Sequence, residues 1–375
     1  MRRVPHFALF TAALLVLSTA PRARAIPQTP DQPSAAEVQQ DNISPPETKA
    51  ERKSEKKADK KDKDKPVPLS EIHNASLWHD PGNIPEKDLF FGQGGEKHRP
   101  IPPFKFIDED LNGTNPKMDV RDANDHRWRV KLGEEARPEV VASRLLWAVG
   151  YYANDDYLLH VATIEGMHMN RGGNRIHNGN QVIDVRFERK PSGEKKLGIW
   201  QWKNNPFRNT REFNGLRVMM AVMNDWDLKD VNNAVYKDDR TGKEILMISD
   251  VGATFATNNL QMSRAADKGN VQNFENSKFI VDTSETTVDF GTPAPPTGVL
   301  IKSMGMMAGD YFKRSGFDWI GHGIPREDAR WIGGLLGQLS QEQLADAFRA
   351  GNFPAASIQG YVDVLQQRIA ALKAL

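Results

Sequence analysis

The feature that most constrains this chain is an ordered run of polar residues set between one apolar helix and one hairpin. Residues 210–223 place Phe213, Leu216, Met219, Met220 and Met223 at helical spacing, which predicts an amphipathic helix with that stripe in the core. The next stretch is Asn224-Asp225-Trp226-Asp227-Leu228-Lys229-Asp230-Val231-Asn232-Asn233. Residues 234–250 then read as a hairpin: Ala234-Val235-Tyr236, a polar turn over 238–242, and Ile245-Leu246-Met247-Ile248. The hairpin delivers Ser249-Asp250-Val251-Gly252. Taken singly, Asp and Asn here read as turn residues that bond local amides. Their order along the chain is what carries information.

That order, helix, Asp-Leu-Lys-x-x-Asn, hairpin, Asp-x-Gly, resembles the catalytic core of the protein-kinase-like superfamily. The resemblance implies that Asp227 orients the acceptor hydroxyl and that Asn232 and Asp250 hold Mg²⁺ against the phosphates of ATP or another nucleotide. Lys229 matches the lysine beside the transferred phosphoryl group. The spacing suits the chemistry. Magnesium takes hard oxygen donors in an octahedron completed by water and phosphate. A hairpin brings its two feet together, so Asn232 and Asp250 can meet one ion. Gly252 is expected to let the backbone turn where a side chain would obstruct the nucleotide.

Upstream residues fit the same template. Residues 104–107 read as a strand, and Asp110-Leu111-Asn112-Gly113-Thr114-Asn115-Pro116 as a tight turn. Residues 118–121 and 127–132 form a strand pair turned at Asn124-Asp125. The kinase-like core needs a strand lysine to grip phosphate and a helix acid to hold it. Lys131 is the lysine, and the turn around Gly113 is the cover over the phosphates. Pro138 suits the start of a helix bearing Val141, Leu145, Ala148 and Val149. Glu139 on its first turn is the candidate acid, with Glu134 and Glu135 as rivals. No His-Arg precedes Asp227, no G-x-G-x-x-G precedes Lys131, and no Ala-Pro-Glu follows Asp250. These departures point to the atypical branches: HipA-type, phosphatidylinositol-kinase-like and secretory-pathway-kinase-like. The stretch from Trp200-x-Trp202-Lys-Asn-Asn-Pro206-Phe207 to Asp250-Val-Gly-Ala-Thr-Phe255 also looks like a family of exported bacterial proteins.

The ends of the chain set its context. Arg2 and Arg3, an apolar run over 7–20 and Ala23-Arg24-Ala25 read as a signal peptide of residues 1–25, so the protein is expected to be exported, periplasmic or secreted. No later stretch is apolar enough to span a membrane after signal cleavage. The 375 residues include no cysteine, which excludes disulfides, thiolate metal sites and thiol nucleophiles. The formal charge of +1 includes four arginines before residue 26, so no electrostatic case for nucleic acid as a partner survives in the rest of the chain. Residues 26–80 read as a disordered tether, Pro-rich and then Lys-rich, with order beginning near residues 81–89.

Remaining features take structural readings. His160, His168 and His177 have no compact ligand spacing, His322 sits in a turn, and Trp200, Trp202 and Phe207 read as core. Residues 255–300 read as irregular. Pro325 and Pro354 open helices, and Ser340 with Gln343 forms a capping box. The expected fold class is α+β: a two-lobed kinase-like domain with a small β-rich N-lobe over 81–205 and a mainly helical C-lobe over 206–375. The acceptor is left open among protein, lipid headgroup and small molecule, and a non-catalytic binding scaffold of the cell envelope remains the alternative.

Overall fold

A computed structural model describes residues 64–111, 113, 115–190, 193–256, 268–291 and 316–375. The expected signal peptide and the tether up to residue 63 lie outside the described residues. Order begins earlier than the expected 81–89. The Val67 amide donates to the Ile199 carbonyl at 2.9 Å, and strand β1 (Ala75–Ser76) pairs in parallel with a strand at Glu244–Ile248. Leu77 is buried, and the Trp78 indole donates to the Val149 carbonyl. The composition of 64–80 is polar enough to read as tether, but Leu77 and Trp78 anchor it to the domain.

The chain is mixed α+β. Strands β2 (Phe104–Asp110), β3 (Lys117–Arg121), β4 (Arg127–Lys131), β5 (Asp156–Glu165), β6 (Ile176–His177) and β7 (Gln181–Arg189) form a sheet in the order β4-β3-β2-β5-β7-β6. β4 also pairs with β7, so five of the strands close into a barrel. Strand side chains alternate in direction. Met118, Val120, Trp128, Val130, Val185 and Phe187 fill the barrel core, and Lys131 points to the opposite side from Val130. Helix α1 (Ala136–Ala148) packs against β5 and β7. It begins two residues before Pro138, which sits in its first turn, where no intrahelical donor is lost.

A second sheet, β1-β10-β9-β8, contains β8 (Glu194–Gly198) and the expected hairpin of β9 (Asn233–Asp238) and β10 (Glu244–Ile248). Helix α2 (Arg211–Met223) precedes it. Thr210 caps α2 by accepting the Phe213 amide, and the apolar stripe is buried. Residues 255–300 are less irregular than expected: among the described ones lie α3 (Val271–Glu275), β11 (Ile280–Thr283) and β12 (Thr287–Phe290), the last pairing with β13 (Ile324–Pro325). Helices α4 (Arg326–Leu336), α5 (Gln341–Ala350) and α6 (Ala355–Lys373) complete the chain, with the Ser340–Gln343 capping box formed. These helices, α1 and α2 share an apolar core distinct from that of the barrel. Among the described residues, no helix is long and apolar enough to cross a membrane.

Candidate active site

The site is built around Lys131 at the end of β4. Its Nζ lies 2.9 Å from Glu139 Oε2, 2.7 Å from Glu135 Oε2 and 2.9 Å from Asp250 Oδ1. Three chain segments meet on one ammonium. Of the three rival acids, two reach Lys131, whereas Glu134 turns outward to Arg175. The helix phase explains this. Glu139 points inward from α1, and Glu135 stands at its N-cap, four residues beyond Lys131.

The Lys131 side chain is 2% exposed and that of Glu139 1%, whereas that of Asp250 is 37% exposed. Asp250 is therefore the part of the cluster that a ligand can touch. Burial opposes the charge on Lys131, but Asp250, Glu135 and Glu139 outweigh it and hold its pKa well above the usual lysine range. Burial pushes Glu135 up, yet Lys131 and Lys268 hold it well below the ordinary carboxylate value. Burial likewise raises Asp250, and Lys131 more than reverses this. Glu139 is different. Its burial outweighs Arg186 and Lys131, and its carboxyl is pushed up to about 7.

The Asp227 loop is anchored from several sides. Asn224 ends α2 in the left-handed region, and the Asp225 amide donates back to the Met220 carbonyl. Arg368 of α6 donates to the carbonyls of Ala221 and Val222, which fixes the helix end. The Trp226 amide bonds the Ala253 carbonyl, and the Phe255 amide the Met223 carbonyl, so the segment after Asp250 runs beside the Asp227 loop. Asp230 accepts the Trp202 amide, and Asn233 donates to the Trp200 carbonyl. The Trp200-x-Trp202 stretch thus supports this loop as well as filling core.

Lys229 Nζ lies 3.4 Å from Asp227 Oδ2. The Asn232 amide nitrogen donates to the Asp227 carbonyl, and the Asn232 carbonyl accepts the Ser249 amide, one residue from Asp250. The hairpin therefore brings Asn232 and Asp250 to neighbouring positions. With Nδ2 engaged, the Asn232 side chain has its oxygen left to offer, and Asp250 has Oδ2. This donor set fits magnesium, a hard cation that completes its shell with water and phosphate. Among the described residues no group of three or more His, Asp or Glu stands together as a complete metal cage.

Gly113 lies in the loop between β2 and β3 with φ +74°, a conformation that favours glycine. Arg171 holds the loop by donating to the carbonyls of Gly113 and Asp110, and Asn115 ties its far end to Glu135. Gly252 has a different neighbour from the one expected. A Cβ there would stand 2.6 Å from the Glu135 Cβ, so the glycine makes room for Glu135. The histidines are apart: His160 meets Asp184, His168 bonds the Gly166 carbonyl, and His177 lies on β6.

Several residues at the site have no motif to announce them. Arg186 on β7 faces Lys131 across the β4–β7 pairing and donates to Glu139. Asp225 is buried and accepts the Asp227 amide. Its burial, with Asp227, Asp250 and Glu135 nearby, holds its carboxyl well above the usual range. Lys117 faces Lys131 from β3. The only signal for Arg186 and Lys117 in the sequence is strand alternation, which places them on the face opposite Phe187 and Met118.

No protein-family model matches the chain, and no curated protein matches it. Among solved structures it is similar to CtkA, a proinflammatory kinase of Helicobacter pylori, at 9% identity and a TM-score of 0.37, over 73% of this chain and 97% of that one. It is also similar to the Golgi casein kinase at 9% identity and a TM-score of 0.34, over 73% of this chain and 71% of that one.

Proposed function

We propose that this is an exported, two-lobed kinase-like protein that binds Mg²⁺ with ATP or another nucleotide and transfers a phosphoryl or nucleotidyl group to a protein, lipid headgroup or small molecule. The observation that carries the reading is the meeting of Lys131 with Glu139 and Asp250 on one side chain, across 119 positions of sequence. Here a buried acid orients the ammonium while a second, partly exposed acid keeps an open side. The separate barrel and helical cores support the two-lobed layout.

In this reading Lys131 grips phosphate, held by Glu139, and the Gly113 loop covers it. Asp227 accepts the acceptor's hydroxyl proton as the new P–O bond forms and the bond to the leaving phosphate breaks. Lys229, beside Asp227, offsets charge on the transferring group. Asn232 and Asp250 would hold Mg²⁺, which when bound neutralises charge on the phosphates.

The test has two stages. Mg-ATP at a hundred times its dissociation constant should stabilise the protein by about 2.7 kcal/mol, visible as a thermal shift. Labelled phosphate should then move in the wild type and not in Asp227→Ala. Transfer that persists in Asp227→Ala overturns the catalytic assignment. A shift without transfer leaves a binding scaffold, and no shift with any nucleotide removes the reading.

A further inference from the structure

On the outward face of the barrel, neighbouring strands place three cations in a row. Lys117 on β3 is paired with Lys131 on β4, and Lys131 with Arg186 on β7. Directly opposed side chains in a sheet stand about 5 Å apart at Cβ, and like charges so placed destabilise the pairing. Two of the three cations are answered. Glu135, Glu139 and Asp250 surround Lys131, and Glu139, Asp156 and Glu188 surround Arg186. Lys117 is not answered: its ammonium makes no hydrogen bond or ion pair with any described residue.

Its position is set by the loop it follows. A Cβ on Gly113 would lie 3.5 Å from the Lys117 Nζ, so the loop backbone passes over this ammonium. Lys117 is half-buried, and burial together with Lys131 lowers its pKa, against the pull of Asp250 and Glu139. The chain thus keeps a partly dehydrated positive charge between the cover loop and the Lys131–Asp250 pair.

We propose that Lys117 is a second phosphate-binding cation of this site, and that the ligand it selects carries two or more linked phosphates. The inference rests on the nucleotide reading above for the site's location. The carboxylates around Lys131 already balance its charge, so an arriving anion meets its uncompensated cation at Lys117. Lys131 beside it has its three donors on Glu135, Glu139 and Asp250, and the one given to the partly exposed Asp250 is the one it turns to a second phosphate of the same chain. A single phosphate monoester gains little from this arrangement, because one dianion cannot fill both ammonium positions as a linked pair of phosphates does.

The experiment is binding to the full chain by calorimetry, with Mg²⁺, using ATP, AMP and inorganic tripolyphosphate. The wild type should bind ATP and tripolyphosphate far more tightly than AMP. Lys117→Ala should weaken ATP and tripolyphosphate by at least tenfold and leave AMP nearly unchanged, while Lys117→Arg should keep most of the affinity. Lys117→Ala should fold, since it removes a like-charge opposition; its thermal unfolding checks this. Wild-type affinity of Lys117→Ala for both polyphosphates, or no tripolyphosphate binding by the wild type, overturns the assignment. Tripolyphosphate binding that depends on Lys117 without ATP binding would sustain Lys117 and remove the nucleotide.

Discussion

Glu139 holds Lys131 with one carboxylate oxygen and Arg186 with the other, Oε2 lying 2.9 Å from the lysine Nζ and Oε1 accepting from the guanidinium. Arg186 also reaches Asp156 at 3.3 Å and Glu188 at 2.7 Å, all within the domain interior. The lysine is therefore positioned by a network that begins on β7, well behind the surface a ligand would meet. Removing one partner from a buried ionic set strands the others in a medium that solvates them poorly, at a cost of about 3–5 kcal/mol. Arg186→Met should lower stability by ~3–5 kcal/mol, read as a shift of the urea midpoint at unchanged slope. A loss below about 1 kcal/mol would show that the carboxylates do not depend on Arg186.

The same network predicts a pH dependence. Burial pushes Asp156 up to about 6, despite the opposing pull of Arg186 and its hydrogen bond from Ser143. An acid whose folded value lies above its ordinary 3.8 binds more protons in the native state than in the unfolded one. Its contribution to stability is full below 3.8 and is lost as pH rises through about 6. Wild type should therefore lose stability relative to Asp156→Asn between pH 4 and pH 7. Urea midpoints measured across that window check it, and parallel profiles for the two proteins would refute it.

The ease of reading each part from sequence follows the range of the interaction. Helix α2, the β9–β10 hairpin and the Ser340–Gln343 cap are local patterns, fixed by periodicity or by residues three apart. Asp250 stands at a marked place, the Asp-x-Gly after the hairpin, and Lys131 at the end of a strand before a helix, but their meeting across 119 positions is a long-range product of the fold. The choice among Glu134, Glu135 and Glu139 is not legible, because two of them satisfy Lys131 and helix phase decides the third. Arg186 and Lys117 depend on the closure of the barrel, a long-range pairing that no window of sequence contains. Residues 64–80 mislead because their polar composition hides two anchoring side chains, Leu77 and Trp78.

Gly252 offers a test of packing at the site. A Cβ there would meet the Glu135 Cβ at 2.6 Å and its carbonyl at 3.0 Å, both on the rigid start of α1. Gly252→Ala must therefore move Glu135 or the segment that carries Asp250. Overpacking of this kind costs about 1–3 kcal/mol. The expected outcome is a loss in that range together with weakened Mg-ATP binding, since Lys131 and Asp250 are displaced relative to each other. Thermal unfolding and calorimetry measure the two effects. Unchanged stability would mean the segment after Asp250 yields freely.

Asn232 separates a structural tie from a metal ligand. Its side-chain nitrogen donates to the Asp227 carbonyl, which leaves the side-chain oxygen outside that tie. Asn232→Ala loses both, and one internal hydrogen bond is worth about 1 kcal/mol. If the tie were its whole role, the variant would lose that stability and bind Mg-ATP with wild-type dependence on magnesium. If the oxygen holds Mg²⁺, the magnesium concentration giving half the maximal nucleotide-induced thermal shift should rise roughly tenfold, the effect of about 1.4 kcal/mol of lost binding. Asn232→Asp keeps an oxygen donor but cannot donate to Asp227, so it should restore much of the magnesium response without restoring the lost stability. A magnesium titration of all three proteins decides between the roles, and identical midpoints would remove Asn232 from the metal site.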